Sequence, residues 1–196
     1  PAELLLYCGA GLRPVADELI HVFDAAHNVK VVPDYAGSEV LLAKMRLVRK
    51  GDLYLPGDKY YVEQAVQANM VLSQTPVCYF MPVILVQKGN PRNIELISDL
   101  TKTGVCVGVS VSGCLTGVWD DLATKAGYTE QIRKNTVAYA DGCGGLMSFI
   151  NKKKVDAILG WDAFKNLNMQ TMDIVELPKD LQVHRSTGIG VIAFSK

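Results

Sequence analysis

Short apolar runs alternate along the chain with 10- to 15-residue stretches whose apolar positions recur at helical spacing. That alternation is the signature of strands and helices taken in turn. It predicts strands over 3–8, 29–33, 52–55, 78–87, 105–109, 135–139, 156–160 and 189–194, and helices over 14–26, 38–49, 59–68, 116–126 and 144–153. Leu19, Ile20, Val22 and Phe23 read as the apolar side of the first helix, and the valine-rich segment 29–33 as a parallel strand covered on both faces. After residue 100 the pattern restarts with its own strand, glycine loop and helix. The expected fold is therefore α/β, with two doubly wound lobes and a ligand cleft between them. Lobe 1 takes residues 1–80 and 166–196, and lobe 2 takes 81–165. Closure is expected as a hinge movement at the crossings, near 79–83 and 162–175.

Composition narrows the partners. The 196 residues carry 20 basic and 20 acidic side chains, and a neutral chain lacks the basic excess that binding many phosphates requires, so nucleic acid is excluded as the main partner. The most apolar part of the longest uncharged run, Pro76 to Gln87, is shorter than the ~18 residues of a membrane span and reads as a core strand. Five cysteines (Cys8, Cys78, Cys106, Cys114, Cys143) show no CxxC spacing, and their odd number leaves at least one thiol unpaired. The start "PAELLLY" is taken as a mature form from which a signal peptide has been removed.

Four strand-to-helix junctions share one design: "CGAGLRP" at 8–14, "DYAGSEV" at 34–40, "SVSGCLTGVW" at 110–119 and "YADGCGGLM" at 139–147. The first turn of a helix leaves N–H groups unpaired at the positive end of its dipole, and glycine removes the Cβ that would keep a ligand away. In open sheets such junctions gather at the carboxyl edge of the strands. Two per lobe make a set of backbone donors suited to a small anion. Ser38 and Thr116, each at an expected N-cap, add hydroxyl donors, and Arg13 adds a charge near the first junction. The same residue types also cap helices where no ligand binds; it is the fourfold repetition that points to binding.

Other chemistries are weaker. Gly9-x-Gly11 after a strand, with Asp34 ending the next, imitates a dinucleotide fingerprint, but Pro14 occupies the third glycine position. A dinucleotide-binding Rossmann-type enzyme stands as the alternative. His21, His27 and His184 have no nucleophile or carboxylate at matching spacing, and no HExxH, GxSxG or P-loop is present. Cys8, Cys114 and Cys143 fall in the junction loops, which raises a thiolate site for a soft metal or metalloid beside the plainer readings of buried thiols or a Cys114–Cys143 disulfide.

The segments "YCGAGLRPVADELIHVF", "DYAGSEVLLAKM", "GDLYLPGDKYYVEQA", "VILVQKGNPRNIELISDL", "VGVSVSGCLTGVWDDLATKAG" and "KKKVDAILGWDAF" follow one another in a familiar order. The chain resembles the periplasmic oxyanion-binding proteins of ABC importers, the molybdate/tungstate-binding group of the type II solute-binding fold. The "TGVWDDL" segment is also similar to a stretch in secreted surface proteins of this fold, some of which bind phosphorylated or carboxylate ligands. The resemblance implies a ligand held by Ala10, Gly11, Ser38, Thr116, Gly117, Gly144 and Trp161, with Arg13 extra to the family pattern. Gly11 stands where the family commonly has serine, and Trp161 where it has a tyrosine whose hydroxyl reaches the ligand. It further implies a periplasmic or extracellular monomer with no cofactor and no reaction. Such a protein captures a small anion and delivers it to a membrane ABC permease.

Overall fold

The computed structural model describes residues 2–112, 115, 117–167 and 169–195, without the side chain of Leu167. The chain divides into two compact units. One comprises Pro1–Tyr79 with Arg185–Lys196, the other Phe80–His184.

The first unit is built from β1 (Ala2–Gly9), α1 (Arg13–His27), β2 (Val29–Ala36), α2 (Ser38–Val48), β3 (Leu53–Leu55), α3 (Lys59–Gln67), β4 (Val71–Phe80) and the last strand, β10 (Arg185–Ile192). Its sheet runs β2-β1-β3-β10-β4. β1 is parallel to β2 and β3, and β10 is antiparallel to β3. Tyr7 and Tyr54 enter a core with Leu41, Leu42 and Met45 of α2, Ala65 of α3 and Ile192 of β10. The parallel trio β1, β2 and β3 brings the loops that follow them to one edge of the sheet.

The second unit contains β5 (Pro82–Gln87), β6 (Val107–Ser110), α4 (Val118–Ala126), α5 (Thr129–Asn135), β7 (Thr136–Ala140), α6 (Gly142–Asn151), β8 (Ala157–Trp161), α7 (Phe164–Leu167) and β9 (Met172–Val175). Its sheet runs β7-β6-β8-β5-β9. β6 is parallel to β7 and β8, whereas β5 is antiparallel to β8 and β9. β5 is buried along nearly its whole length, as a strand flanked on both sides should be.

Several elements depart from the sequence expectation. The run expected as one strand over 78–87 is two: β4 begins at Val71, is largely exposed, and ends at Phe80, and β5 starts at Pro82. Residues 166–184, expected in the first lobe, lie in the second unit because β9 pairs with β5 from Ile84↔Val175 to Gln87↔Met172. The return crossing therefore falls at His184–Arg185, beyond the expected 162–175. The valine segment forms an edge strand, not a doubly covered one, with only Val31 of β2 buried. In α1 the apolar side is not the one expected: Ala16 is buried and Ile20 half-buried, while Leu19, Val22 and Phe23 are exposed.

Candidate functional site

In the first unit, three strand-to-helix loops and the last strand are tied together around Ser38. Helix α2 starts after Gly37, an N-cap in extended conformation with no side-chain cap; Leu41, Leu42 and Met45 then carry its buried face. Ser38 is therefore the first helical residue, not the N-cap expected from the sequence, and it is buried to 4% exposure. Its Oγ accepts a hydrogen bond from the Gly57 N–H at 2.8 Å, and its carbonyl accepts one from the Tyr54 hydroxyl at 3.0 Å. Burial raises the Tyr54 phenol well above its ordinary pKa, with Tyr61 and Glu39 adding to the shift, so it stays a donor.

The neighbouring peptide is held from two further sides. The buried Thr187 hydroxyl of β10 donates to the Pro56 carbonyl. Gly9 packs so close that a Cβ there would stand 2.8 Å from the Gly57 nitrogen, so β1 ends against the loop after β3 only because residue 9 is glycine. Asp58 caps α3 by accepting from the Tyr60 N–H at 2.8 Å.

The chemical consequence concerns one proton. A serine hydroxyl accepts and donates. Ser38 Oγ is occupied as an acceptor, and among the described residues its hydrogen has no acceptor. Beside it, the first-turn N–H groups of α2 lack intrahelical partners. The arrangement is a buried, oriented donor next to the positive end of an 11-residue helix.

Around this centre the other expected residues take unequal places. Ala10 (exposed) and Gly11 (half-buried) form a short 3-10 turn, Ala10–Leu12, between β1 and α1. Arg13 is exposed: its Nε lies 3.4 Å from Asp17 Oδ2 and its guanidinium 5.2 Å from the Tyr35 ring centroid, so its charge is engaged on the surface of α1. Cys8 is fully buried, and desolvation above all, with Asp17 and Cys78 adding, pushes its thiol up to about 12.

The second unit carries its own junctions. Gly117 is the exposed N-cap of α4, with φ +80°. Gly144 lies in the first turn of α6, exposed, with open space where a Cβ would stand. Trp161 ends β8 at 2% exposure, its ring 5.4 Å from that of Phe80. Thr116 and Cys114 lie outside the described residues. A cavity of about 330 Å³ opens beside Ser110, Gly117, Trp119, Arg133, Thr136 and Tyr139. Among the described residues no group of three or more His, Cys, Asp or Glu is placed to hold a metal ion, and the protonated, buried Cys8 is a poor thiolate donor.

Tyr54, Gly57 and Thr187 were not among the residues expected at the site. The Pro56-Gly57-Asp58 turn before a helix was a usable signal for Gly57. Nothing local marks Thr187, which reaches Pro56 across 131 residues of sequence.

Comparison with known proteins agrees with this architecture. The profile of the family described as bacterial extracellular solute-binding protein matches residues 4–196. A curated relative from Haemophilus influenzae, carried under a provisional binding-protein name, is 28% identical over 159 residues, which are 80% of this chain and 64% of the relative. The aligned region thus spans less than two thirds of that protein's length. Among solved structures, L-phospholactate-bound PEB3 superimposes with a TM-score of 0.84 at 21% identity, covering 96% of this chain and 86% of that one; a second structure of Peb3 from Campylobacter jejuni gives 0.82 at the same identity and coverage. The periplasmic molybdate-binding protein of Azotobacter vinelandii gives 0.80 at 12% identity, covering 97% and 85%. At these identities the likeness is one of fold.

Proposed function

The chain belongs to the bacterial extracellular solute-binding protein family, and on that premise we propose that it captures a small anion at the carboxyl edge of its first unit, with Ser38 as a donor to the ligand. The family is one of binding, not catalysis, which displaces the dinucleotide enzyme considered from the sequence. The ligand class is a tetrahedral oxyanion of the molybdate or tungstate type, or an organic phosphate or carboxylate. Solved proteins of this fold bind phospholactate and molybdate. In this proposal the protein works outside the cytoplasm and hands its ligand to a membrane ABC permease. Ala10 and Gly11, in the turn between β1 and α1, serve as backbone positions open to ligand.

One observation carries the proposal: the Ser38 oxygen is fixed by the Gly57 N–H, so its proton is left to donate beside the first turn of α2. Hydrogen bonds to charged groups contribute about 1.5–3 kcal/mol. Calorimetric titration with molybdate, tungstate, sulfate, phosphate and phospholactate should identify at least one ligand, and Ser38→Ala should weaken it roughly tenfold to a hundredfold. Ser38→Thr, which keeps a hydroxyl, should retain most of the affinity. Unchanged binding in Ser38→Ala, with the fold intact by circular dichroism, removes Ser38 from the site.

A further inference from the structure

Helix α2 turns to solvent a face that repeats its own chemistry in reverse. Glu39 and Val40 stand at its start, Arg46 and Leu47 near its end, and Ala43 lies between them, all five exposed. The spacing of Glu39, Ala43 and Arg46 sets them in one line along the helix, with Val40 and Leu47 side by side along its flank. Val40 is 54% exposed, and among the described residues no large apolar side chain is more exposed than Leu47, at 85%. Beside this face runs a groove of about 480 Å³, floored by Leu42 and Ala43 and walled by Tyr60 and Tyr61 of α3.

The charges on this face are spare. Among the described residues Glu39 and Arg46 have neither a hydrogen-bond nor an ion-pair partner. Two helical turns, about 10.5 Å, separate them, too far for the two to pair within one helix. The remaining charged side chains of α2 and α3 are engaged within the chain: Lys44 with Asp34, and Lys59 with Glu63.

A second α2, antiparallel to the first about a two-fold axis at Ala43, answers each of these features. Glu39 then lies within one residue of Arg46 of the second copy, and Val40 within one residue of its Leu47. Symmetry makes each contact twice. Ala43 meets its own copy at the axis, where a small side chain lets the helices approach to the ~8–10 Å of packed pairs. Reversing the order of the two ends exchanges acid for base and keeps apolar against apolar, so the face is complementary to itself.

We propose that the protein associates with a second copy of itself through α2, as a two-fold dimer in place of the monomer that the family resemblance implied. The proposal stands independently of Ser38 and the anion.

Sedimentation equilibrium of the full chain from about 5 to 500 µM is expected to show monomer and dimer with a Kd on the order of 10–100 µM, because one helix pair covers less than the ~800 Å² per partner of a standard interface. Ala43→Glu sets two carboxylates together at the axis and should weaken association at least about tenfold. Arg46→Glu, which opposes Glu39 of the second copy with a like charge, should weaken it by about the same factor. Exchanging the charges in Glu39→Arg/Arg46→Glu rebuilds both pairs and should bring the Kd back to within about threefold of wild type. Leu19→Glu, on the exposed apolar face of α1, should leave the Kd unchanged. All four substitutions fall on exposed positions, and circular dichroism checks that each variant is folded. A monomer at every concentration overturns the proposal. So does a dimer that Ala43→Glu leaves intact, a folded exchange variant no tighter than Arg46→Glu, or loss of the dimer in Leu19→Glu.

Discussion

Cys8, the last residue but one of β1, has no solvent exposure, and its sulfur makes one contact of hydrogen-bonding kind, to the Gly9 carbonyl at 3.7 Å. Burial raises its pKa to about 12, with Asp17 and Cys78 adding to the shift. At pH 8 the thiol is therefore protonated and shielded, and the thiolate is the reactive form. Iodoacetamide at pH 8 should leave Cys8 unmodified in the folded protein and label it in the urea-unfolded chain, read by peptide mass mapping. Labelling of native Cys8 at the rate of an exposed thiol would contradict its burial. The same chemistry weakens a soft-metal role for Cys8, since such a site needs the thiolate. Ser38 shows a second lesson at this scale. Its removal would leave the buried Gly57 N–H without an acceptor, a loss of about 1–3 kcal/mol, so its binding role is read only beside a stability measurement.

At the scale of elements, the turn that leads from β5 toward β6 is organised by carboxylates on backbone N–H groups. Asp99 accepts from Lys102 Nζ at 2.8 Å and from the Glu95 and Leu96 N–H groups at 2.8 and 2.9 Å. Lys102 first, then these backbone bonds, hold its pKa at about 2 against an ordinary 3.8. A pKa lowered by folding adds stability above the unfolded value and loses it as pH falls through the folded one. The contribution of Asp99 should thus be complete above about pH 4 and fade toward pH 2. Urea unfolding at stepped pH should show Asp99→Asn less stable than wild type at neutral pH, with the difference shrinking across that acid window. A constant difference down to pH 2 would count against the assignment.

Which elements were legible in the sequence follows from what positions them. β1, β3, β6, β7, β8 and α2, α3, α6 appear within a few residues of their expected places, because each has a buried face that imposes a period on its sequence. α5 (Thr129–Asn135) and β9 (Met172–Val175) were missed. α5 is seven residues with a single buried side chain, Ile132, too short to show a period. β9 is a four-residue strand whose existence depends on pairing with β5, far away in sequence. The edge position of β2 was hidden for a similar reason: valines suit a half-buried pleat as well as a fully covered one. Of the site, the glycine junctions and Ser38 were visible because glycine and serine before an apolar helix form a local pattern. The bonds that orient Ser38 were not, since Tyr54 and Gly57 reach it from β3 and the loop after it, and Thr187 of the last strand holds the neighbouring Pro56.

At the scale of the whole molecule, the first unit depends on both ends of the chain. β10 is not an edge addition: it lies between β3 and β4 in the sheet, places Ile192 in the core and sends Thr187 to Pro56. At Gly190 a Cβ would stand 2.5 Å from Val71 Cγ1, so β10 and the start of β4 are packed to the backbone. The second unit, by contrast, takes all five of its strands from residues 80–184. Ending the chain after His184 should therefore remove the middle of one sheet and nothing from the other. Amide NMR of the truncated protein should keep dispersed signals for the second unit and collapse those of residues 2–79, with loss of any anion binding that depends on Ser38. Collapse of every signal would show that the second unit cannot hold its fold without the first. Survival of the first unit's signals would show that β10 is dispensable, and would leave Ser38 and Gly57 in place with no help from Thr187.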